Sequence, residues 1–507
     1  MLDLRAERAA KPLFAWMLAG VAVWVAVFSR LVYVALPFDG DGAMFAYMGK
    51  LVADGGRFGE DLVDNKFPTV GLITSAFWRV FAAHWSGYVI AQLLLALAAA
   101  LLLARQAARS FGEYARPAAF FTAIVLLNLN AAVMGGFQLE TILAFFACLS
   151  ACCGLEALRS GDRRDAIACG LAAGCAAMVK PTGIGILIAF LFAAVARNLV
   201  DRHDRAKTTR LISGAITGAA LPALASILYL HETDTLRLMP AIAAQIGQYA
   251  ASSSFAPEDL FRPISVVALF AAAMVIRGWV YRRPRHRVES GAGGAEWVLV
   301  IAWLAIEFAG VLMQRRMYAY HFLPLACPAA LVFAALPRRV TIGQLAGVLA
   351  LPVVLSAWGA VDVLRSAQRH PPTWPGVGAW LDRHTLPGDR VWRDITPAVL
   401  LTTDLRPASR VQLTFLFMNS DDAPDRFSGI LLDDLARSRP RFVVLPGDVS
   451  GHVRAHTHGV VELSRQPVRR ERFAAAWERI ERFVNDRYRL VARVGGEAIY
   501  QLREVHR

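Results

Sequence analysis

Hydrophobic positions along this chain come in long unbroken runs separated by short polar connections. Runs of about 17 to 22 residues recur from Leu13 to about Val361, the length a helix needs to cross a hydrocarbon layer of roughly 30 Å. The pattern predicts eleven spans, near 13–36, 86–104, 117–135, 140–158, 165–180, 183–199, 210–230, 262–281, 296–313, 318–336 and 341–361. The first, "LFAWMLAGVAVWVAVFSRLVYVAL", is too long for a signal-peptide core and lacks a small-residue cleavage site, so it should stay in place as a helix.

A further apolar stretch, "FPTVGLITSAFWRVFAAHW" (67–85), carries Arg79 near its middle, and counting it as a crossing would invert everything that follows. Left on or dipping into the membrane, it places the connections "ARQAARSFGEYAR", "RSGDRR", "RNLVDRHDRAKTTR", "RGWVYRRPRHR" and "PRR" on the side of Arg5, Arg8 and Lys11. The positive-inside rule makes that side the cytoplasm. The acidic segment 37–66, the tip near Glu140, the "KPTG" tip at 180–183, the loop 231–261 and everything after about 362 then face outward. Arg315 and Arg316 also face outward, where topology gives no reason for a basic pair. Within the outer loop, Phe45, Met48, Leu51 and Val52 form an apolar stripe suited to a helix over 43–53 lying on the membrane.

Beyond residue 365 the pattern changes. Short β-like pieces ("DRVWRDI", "RFVVLPG", "YRLVARV", "AIYQLR") alternate with polar helical stretches such as 471–485. The expected architecture is an all-α polytopic membrane domain over 1–365, with juxtamembrane helices in its first outer loop (37–85), followed by a small extracytoplasmic α/β domain over 366–507.

Charge and cysteine content exclude some functions. The formal net charge of +14 would suggest nucleic acid in a soluble chain, but here the arginines lie between apolar runs, where insertion explains them. All six cysteines fall inside predicted spans, so neither a disulfide framework nor a metal-knuckle spacing is present. No nucleotide-cradling glycine loop appears. Lysine occurs only at 11, 50, 66, 180 and 207, which draws attention to each one.

The topology gathers at one membrane surface Asp39 and Asp41 in "PFDGDGAMFAY", Lys66 in "DNKFP", Glu140 in "GGFQLETILAFF", Lys180 in "MVKPTG", and Arg315, Arg316 and His321 in "QRRMYAYHFLP". Singly, each has an ordinary reading. An aspartate can cap the helix that follows it, Glu140 suits a helix start, Lys180 can snorkel, and His321 can be a core histidine. Together they suit chemistry on an anionic, lipid-linked substrate, in which cations hold a phosphate and a carboxylate takes a proton.

The arrangement resembles the GT-C superfamily of integral-membrane glycosyltransferases, particularly the branch with aminoarabinose transferases and protein O-mannosyltransferases. In that pattern an Asp after the first helix is followed four residues later by an aromatic and then Ala, by a Gly about ten residues on, and by "EKPP". Asp41, Phe45, Ala46, Gly55 and "DNKFP" occupy those places. The match continues through Glu140, "GLAAGCAAMVKPTG" and "YAYHFLPLACPAALVF", covering most of residues 10–335. The chain departs from the pattern at Gly42, at Phe67, and at Glu140, where the family has Asp.

The resemblance implies a sugar donor on polyprenyl phosphate and a lipid, glycan or protein acceptor, joined with inversion at the outer face of the cytoplasmic membrane. It makes Asp41 the catalytic base and Asp39 secondary. Glu140 would position the acceptor or support the base, and Lys66, Lys180, Arg315 or Arg316, with His321, would form the donor phosphate site. A divalent cation is compatible with the resemblance but not indicated by it. The competing readings are a transporter of lipid or sugar and a catalytically silent scaffold.

Overall fold

The long apolar runs fold as helices whose ends are set by polar punctuation. The computed structural model describes residues 20–21, 24, 27–36, 40–113, 115–129, 136–201, 205–251, 294–315, 318–335, 342–369, 372–394, 397–459 and 467–503. The chain divides into two compact units. One comprises Met1–Leu36, Ser86–Ser226 and Ala256–Ser366, the other Pro37–Trp85, Ile227–Phe255 and Ala367–Arg507.

The first unit holds a helix described over 27–34 (α1). Trp85–Phe111 (α4), Ala115–Leu127 (α5), Leu139–Ser160 (α6), Arg163–Val179 (α7), Gly185–Asp201 (α8), Arg205–Glu232 (α9), Gly294–Gln314 (α11), Ala326–Ala335 (α12) and Ile342–Arg369 (α13) follow, with Trp85, the end of α9 from Ile227 and the end of α13 from Ala367 counted in the second unit. Among the described residues, five helical segments are long and apolar enough to cross a membrane: Trp85–Phe111, Leu139–Ser160, Pro181–Leu199, Arg205–Glu232 and Gly294–Gln314. The predicted span 262–281 lies outside the described residues. The span expected over 117–135 stops as a helix at Leu127, leaving about 20 Å of helix.

Small residues set the packing. A Cβ at Gly170 would collide with the Ala215 carbonyl, and one at Gly218 with that of Ile167, so α7 and α9 approach closely. The core of this unit is rich in alanine, with Cys148, Cys169, Phe190 and Trp303 among its buried side chains. Asp162 caps α7 by accepting from the Arg164 N–H at 2.9 Å, and Gly161 closes α6 in the left-handed region.

In the second unit, Gly40–Ala53 (α2) crosses Thr69–Phe81 (α3) so closely that a Cβ at Gly49 would strike the Thr74 carbonyl. Residues 42–49 of α2 are all buried. The helix therefore lies inside the unit instead of presenting one stripe to a membrane surface, as an element apolar on every side must. With 13 residues, α3 extends about 20 Å, short of a crossing.

The same unit contains Met239–Ala251 (α10) and a five-stranded sheet, ordered β2-β1-β3-β5-β4. Its strands are Arg390–Arg393 (β1), Arg406–Pro407 (β2), Phe442–Pro446 (β3), Tyr488–Val494 (β4) and Glu497–Leu502 (β5). β1 runs parallel to both β2 and β3, while β5 runs antiparallel to β3 and β4. The four β-like pieces of the sequence are β1, β3, β4 and β5, and the two-residue β2 carries no sequence signal. Trp374–His384 (α14) and Ala398–Thr402 (α15) are followed by Ala423–Ser438 (α16), Val449–Gly459 (α17) and Pro467–Arg487 (α18). Trp392, Leu431, Val443, Phe473, Trp477 and Ile480 fill the core between the sheet and helices α16 and α18. The segment between α2 and α3 joins this body through a Val63 N–H donated to the Arg410 carbonyl at 2.9 Å.

Candidate active site

In the second unit, Asp41 stands in the first turn of α2, where unpaired N–H groups and the helix dipole favour a carboxylate. One turn on, the buried Phe45 ring faces the Lys66 ammonium, 5.9 Å from the ring centroid. Lys66 leaves a tight turn at Asp64-Asn65-Lys66. The Asp64 Oδ1 accepts from the Lys66 N–H at 2.9 Å, and the Lys66 Nζ donates to Asn65 Oδ1 at 2.8 Å. From α10, Gln245 donates to the Asp64 carbonyl at 3.3 Å and fixes the turn. Pro68 then opens α3.

Asp64 is 2% exposed, and burial raises its carboxyl above the usual carboxylate range. The Lys66 ammonium, 4.0 Å from Oδ1, pulls in the opposite direction, while the charge of Asp41 pushes further upward. Two carboxylates thus influence each other electrostatically, with a lysine against one of them. Asp64 was not singled out by sequence, although it is the first letter of the "DNKFP" motif.

In the first unit, Glu140 lies in the first turn of α6, and Lys180 is the C-cap of α7. The Lys180 Nζ donates to Glu140 Oε1 at 3.0 Å, with the glutamate side chain 6% exposed and the lysine 25%. The turn after Lys180 requires glycine, because a Cβ at Gly183 would press on the Ala176 backbone and the Leu143 side chain. Lys180 also interacts electrostatically with Glu307, a buried carboxylate on α11 that accepts from Trp303 Nε1 at 3.2 Å. Glu307 is a second residue that the sequence reading missed. Its signal was an acid inside an apolar run.

His321 is buried in the Ala319–Leu325 turn, edge-on to the rings of Tyr318 and Tyr320 at 5.4 and 4.6 Å. Arg315 follows α11 in the left-handed region (φ 53°), its N–H donating to the Leu312 carbonyl at 3.1 Å and its side chain exposed. Asp39 and Arg316 lie outside the described residues. Asp41 and Lys66 therefore belong to one unit, and Glu140, Lys180, Arg315 and His321 to the other.

The chain superposes on the crystal structure of ArnT from Cupriavidus metallidurans bound to undecaprenyl phosphate with a TM-score of 0.56, at 14% identity, covering 96% of this chain and 97% of that one. This is a GT-C glycosyltransferase fold. The archaeal oligosaccharyltransferase AglB from Archaeoglobus fulgidus, in complex with an inhibitory peptide and a dolichol-phosphate, shares the GT-C fold with a TM-score of 0.53 at 11% identity, over 92% of this chain and 72% of that one. The same oligosaccharyltransferase tethered to an acceptor peptide gives 0.52 at 10% identity, with the same coverage. Residues 65–229 match the profile of the family described as dolichyl-phosphate-mannose-protein mannosyltransferase. A sequence search of curated proteins finds no match.

On this GT-C fold, the described residues offer carboxylates that can accept protons and cations that can hold a phosphate. Among them no group of three or more His, Cys, Asp or Glu side chains is placed to hold a metal ion.

Proposed function

We propose that the protein is a membrane glycosyltransferase that moves a sugar from a polyprenyl-phosphate-linked donor to a hydroxyl or amine of an envelope lipid, glycan or protein. The reaction takes place at the outer side of the cytoplasmic membrane and inverts the anomeric centre. The observation that carries this reading is the placement of Asp41 on a GT-C fold, at the helix start one turn before Phe45 and in electrostatic contact with the Asp64–Lys66 turn. Supporting it, the family profile spans Lys66, Glu140 and Lys180, and two structures of the same fold hold polyprenyl phosphates.

In the proposed reaction the acceptor nucleophile attacks the anomeric carbon and gives its proton to Asp41. The bond from that carbon to the phosphate oxygen breaks, and its electron pair leaves with the lipid phosphate. Lys66, Lys180, Arg315 or Arg316 and His321 take the roles of groups that hold the donor phosphate and stabilise the departing charge, and Glu140 takes that of positioning the acceptor or supporting the base. Asp39 is a secondary acid. A lipid-borne donor accounts for cations at helix ends and for the absence of a nucleotide loop from the sequence.

The test is the lipid pool. Cells lacking the protein should accumulate one glycosylated polyprenyl phosphate and lose one sugar from an envelope acceptor, both restored by the wild-type chain and neither by Asp41→Asn. An unchanged lipid and glycan profile would support the silent-scaffold reading instead.

A further inference from the structure

Arg30 is fully buried within the first apolar run, and all five of its N–H donors are used. Nε donates to Asn128 Oδ1 at 2.9 Å. Nη1 donates to Gln92 Oε1 at 2.9 Å and to the Gly136 carbonyl at 3.2 Å. Nη2 donates to the Leu127 carbonyl at 3.3 Å and to Thr141 Oγ1 at 3.1 Å. Each acceptor is neutral, so among the described residues the charge has no carboxylate partner. A charge at this depth is costly, and a buried guanidinium without a counter-ion needs a reason beyond packing.

Part of the compensation is a helix end. Leu127 is the last residue of α5, and Arg30 binds its carbonyl together with the Asn128 side chain, where the dipole of α5 is negative. The remaining bonds converge on the segment that opens α6. Gly136 and Thr141 are bound directly. Gln138 is bound through Gln92, whose Oε1 also accepts from the Gln138 N–H at 3.1 Å and whose Nε2 donates to the Gln138 carbonyl at 2.6 Å. Gly136 adopts a left-handed φ of 77°, and a Cβ there would press on Tyr33, one turn beyond Arg30. The α6 N-cap, Gln138, has no side-chain cap of its own. Glu140 stands between Gln138 and Thr141, the two residues that this network fixes.

We propose that Arg30 is the positioning residue for Glu140: through Gln92 and Thr141 it holds the first turn of α6 at the place where Glu140 meets Lys180. A lysine or glutamine at this position could not reach five acceptors in one plane, which accounts for a guanidinium where a neutral residue would insert more readily. The inference rests on the proposed role of Glu140 and Lys180 in glycosyl transfer, but its test needs no turnover.

A hydrophobic carbodiimide joins a carboxylate to an amine only where the two touch, expelling the urea and forming an amide. Applied to the intact protein in lipid nanodiscs, it should cross-link Glu140 to Lys180, with the Lys50–Asp54 pair of the second unit, 2.5 Å apart, as an internal standard read in the same digest. In Arg30→Gln the ratio of the Glu140–Lys180 product to the standard should fall by about fivefold or more, and Gln92→Met, a milder change, should lower it in the same direction. Should Arg30→Gln fail to fold, Gln92→Met decides alone. An unchanged ratio in the folded variants overturns the inference, even if their melting temperatures drop, because that pattern is merely structural. A lowered ratio with normal sugar transfer upholds the positioning and instead removes Glu140 and Lys180 from the proposed reaction.

Discussion

Lys180 meets Glu140 at 3.0 Å across two helices, joining residues 40 apart in the chain. Because the glutamate is almost fully buried, losing the lysine would leave a carboxylate without a cation. Lys180→Met should therefore destabilise the protein by about 3 kcal/mol. The double change Glu140→Gln, Lys180→Met should recover most of that loss, since no unpaired charge then remains. Thermal melting in nanodiscs measures both, and equal melting of the single and double variants would show that the pair contributes little.

Asp41→Asn keeps the size and polarity of the side chain at a helix start but cannot take a proton. Transfer should fall on the order of a hundredfold while the protein still folds and binds donor. Asp64→Asn and Asp39→Asn should be milder. If Asp64→Asn abolishes transfer and Asp41→Asn does not, the base is the buried aspartate of the Lys66 turn.

Asp64 also carries a pH signature. Burial raises its proton affinity in the folded state, so above the ordinary aspartate value of about 3.9 the unfolded chain releases its proton first. Stability contributed at that site is therefore present at low pH and is lost as pH rises through the raised folded value. Asp64→Asn, which keeps an acceptor for the Lys66 N–H, should melt like the wild type near pH 4 and above it at neutral pH. A melting difference that shrinks with rising pH would contradict the direction of the shift.

Five long apolar helices were legible because an apolar run of 20 residues has few alternatives to a helix. Lys66 and Lys180 stood out because lysine occurs at only five positions, and Glu140 because it opens an apolar run. What sequence could not supply was the third dimension. The 43–53 stripe looked amphipathic, yet α3 and α15 cover the remaining faces of α2 and bury it. The run 117–135 looked continuous, yet Arg30 and Asn128 stand at the end of α5 at Leu127. Asp64 and Glu307 resemble ordinary loop and helix acids until burial and a neighbouring lysine give them significance. Arg30 was a visible signal of a different kind, a lone arginine inside an apolar run, but its five acceptors come from three separate segments that no spacing rule connects.

Arg315 allows backbone and charge to be separated. As the residue after α11 it adopts φ 53°, a conformation that suits glycine and costs other residues roughly 1 kcal/mol. Arg315→Gly should therefore raise stability by about 0.5 to 1 kcal/mol while removing an exposed guanidinium. If that guanidinium holds the donor phosphate, KM for the lipid donor should rise by about tenfold with a smaller change in kcat, and Arg315→Lys should restore part of the loss without the gain in stability. Greater stability with unchanged donor kinetics would assign Arg315 to the helix end alone.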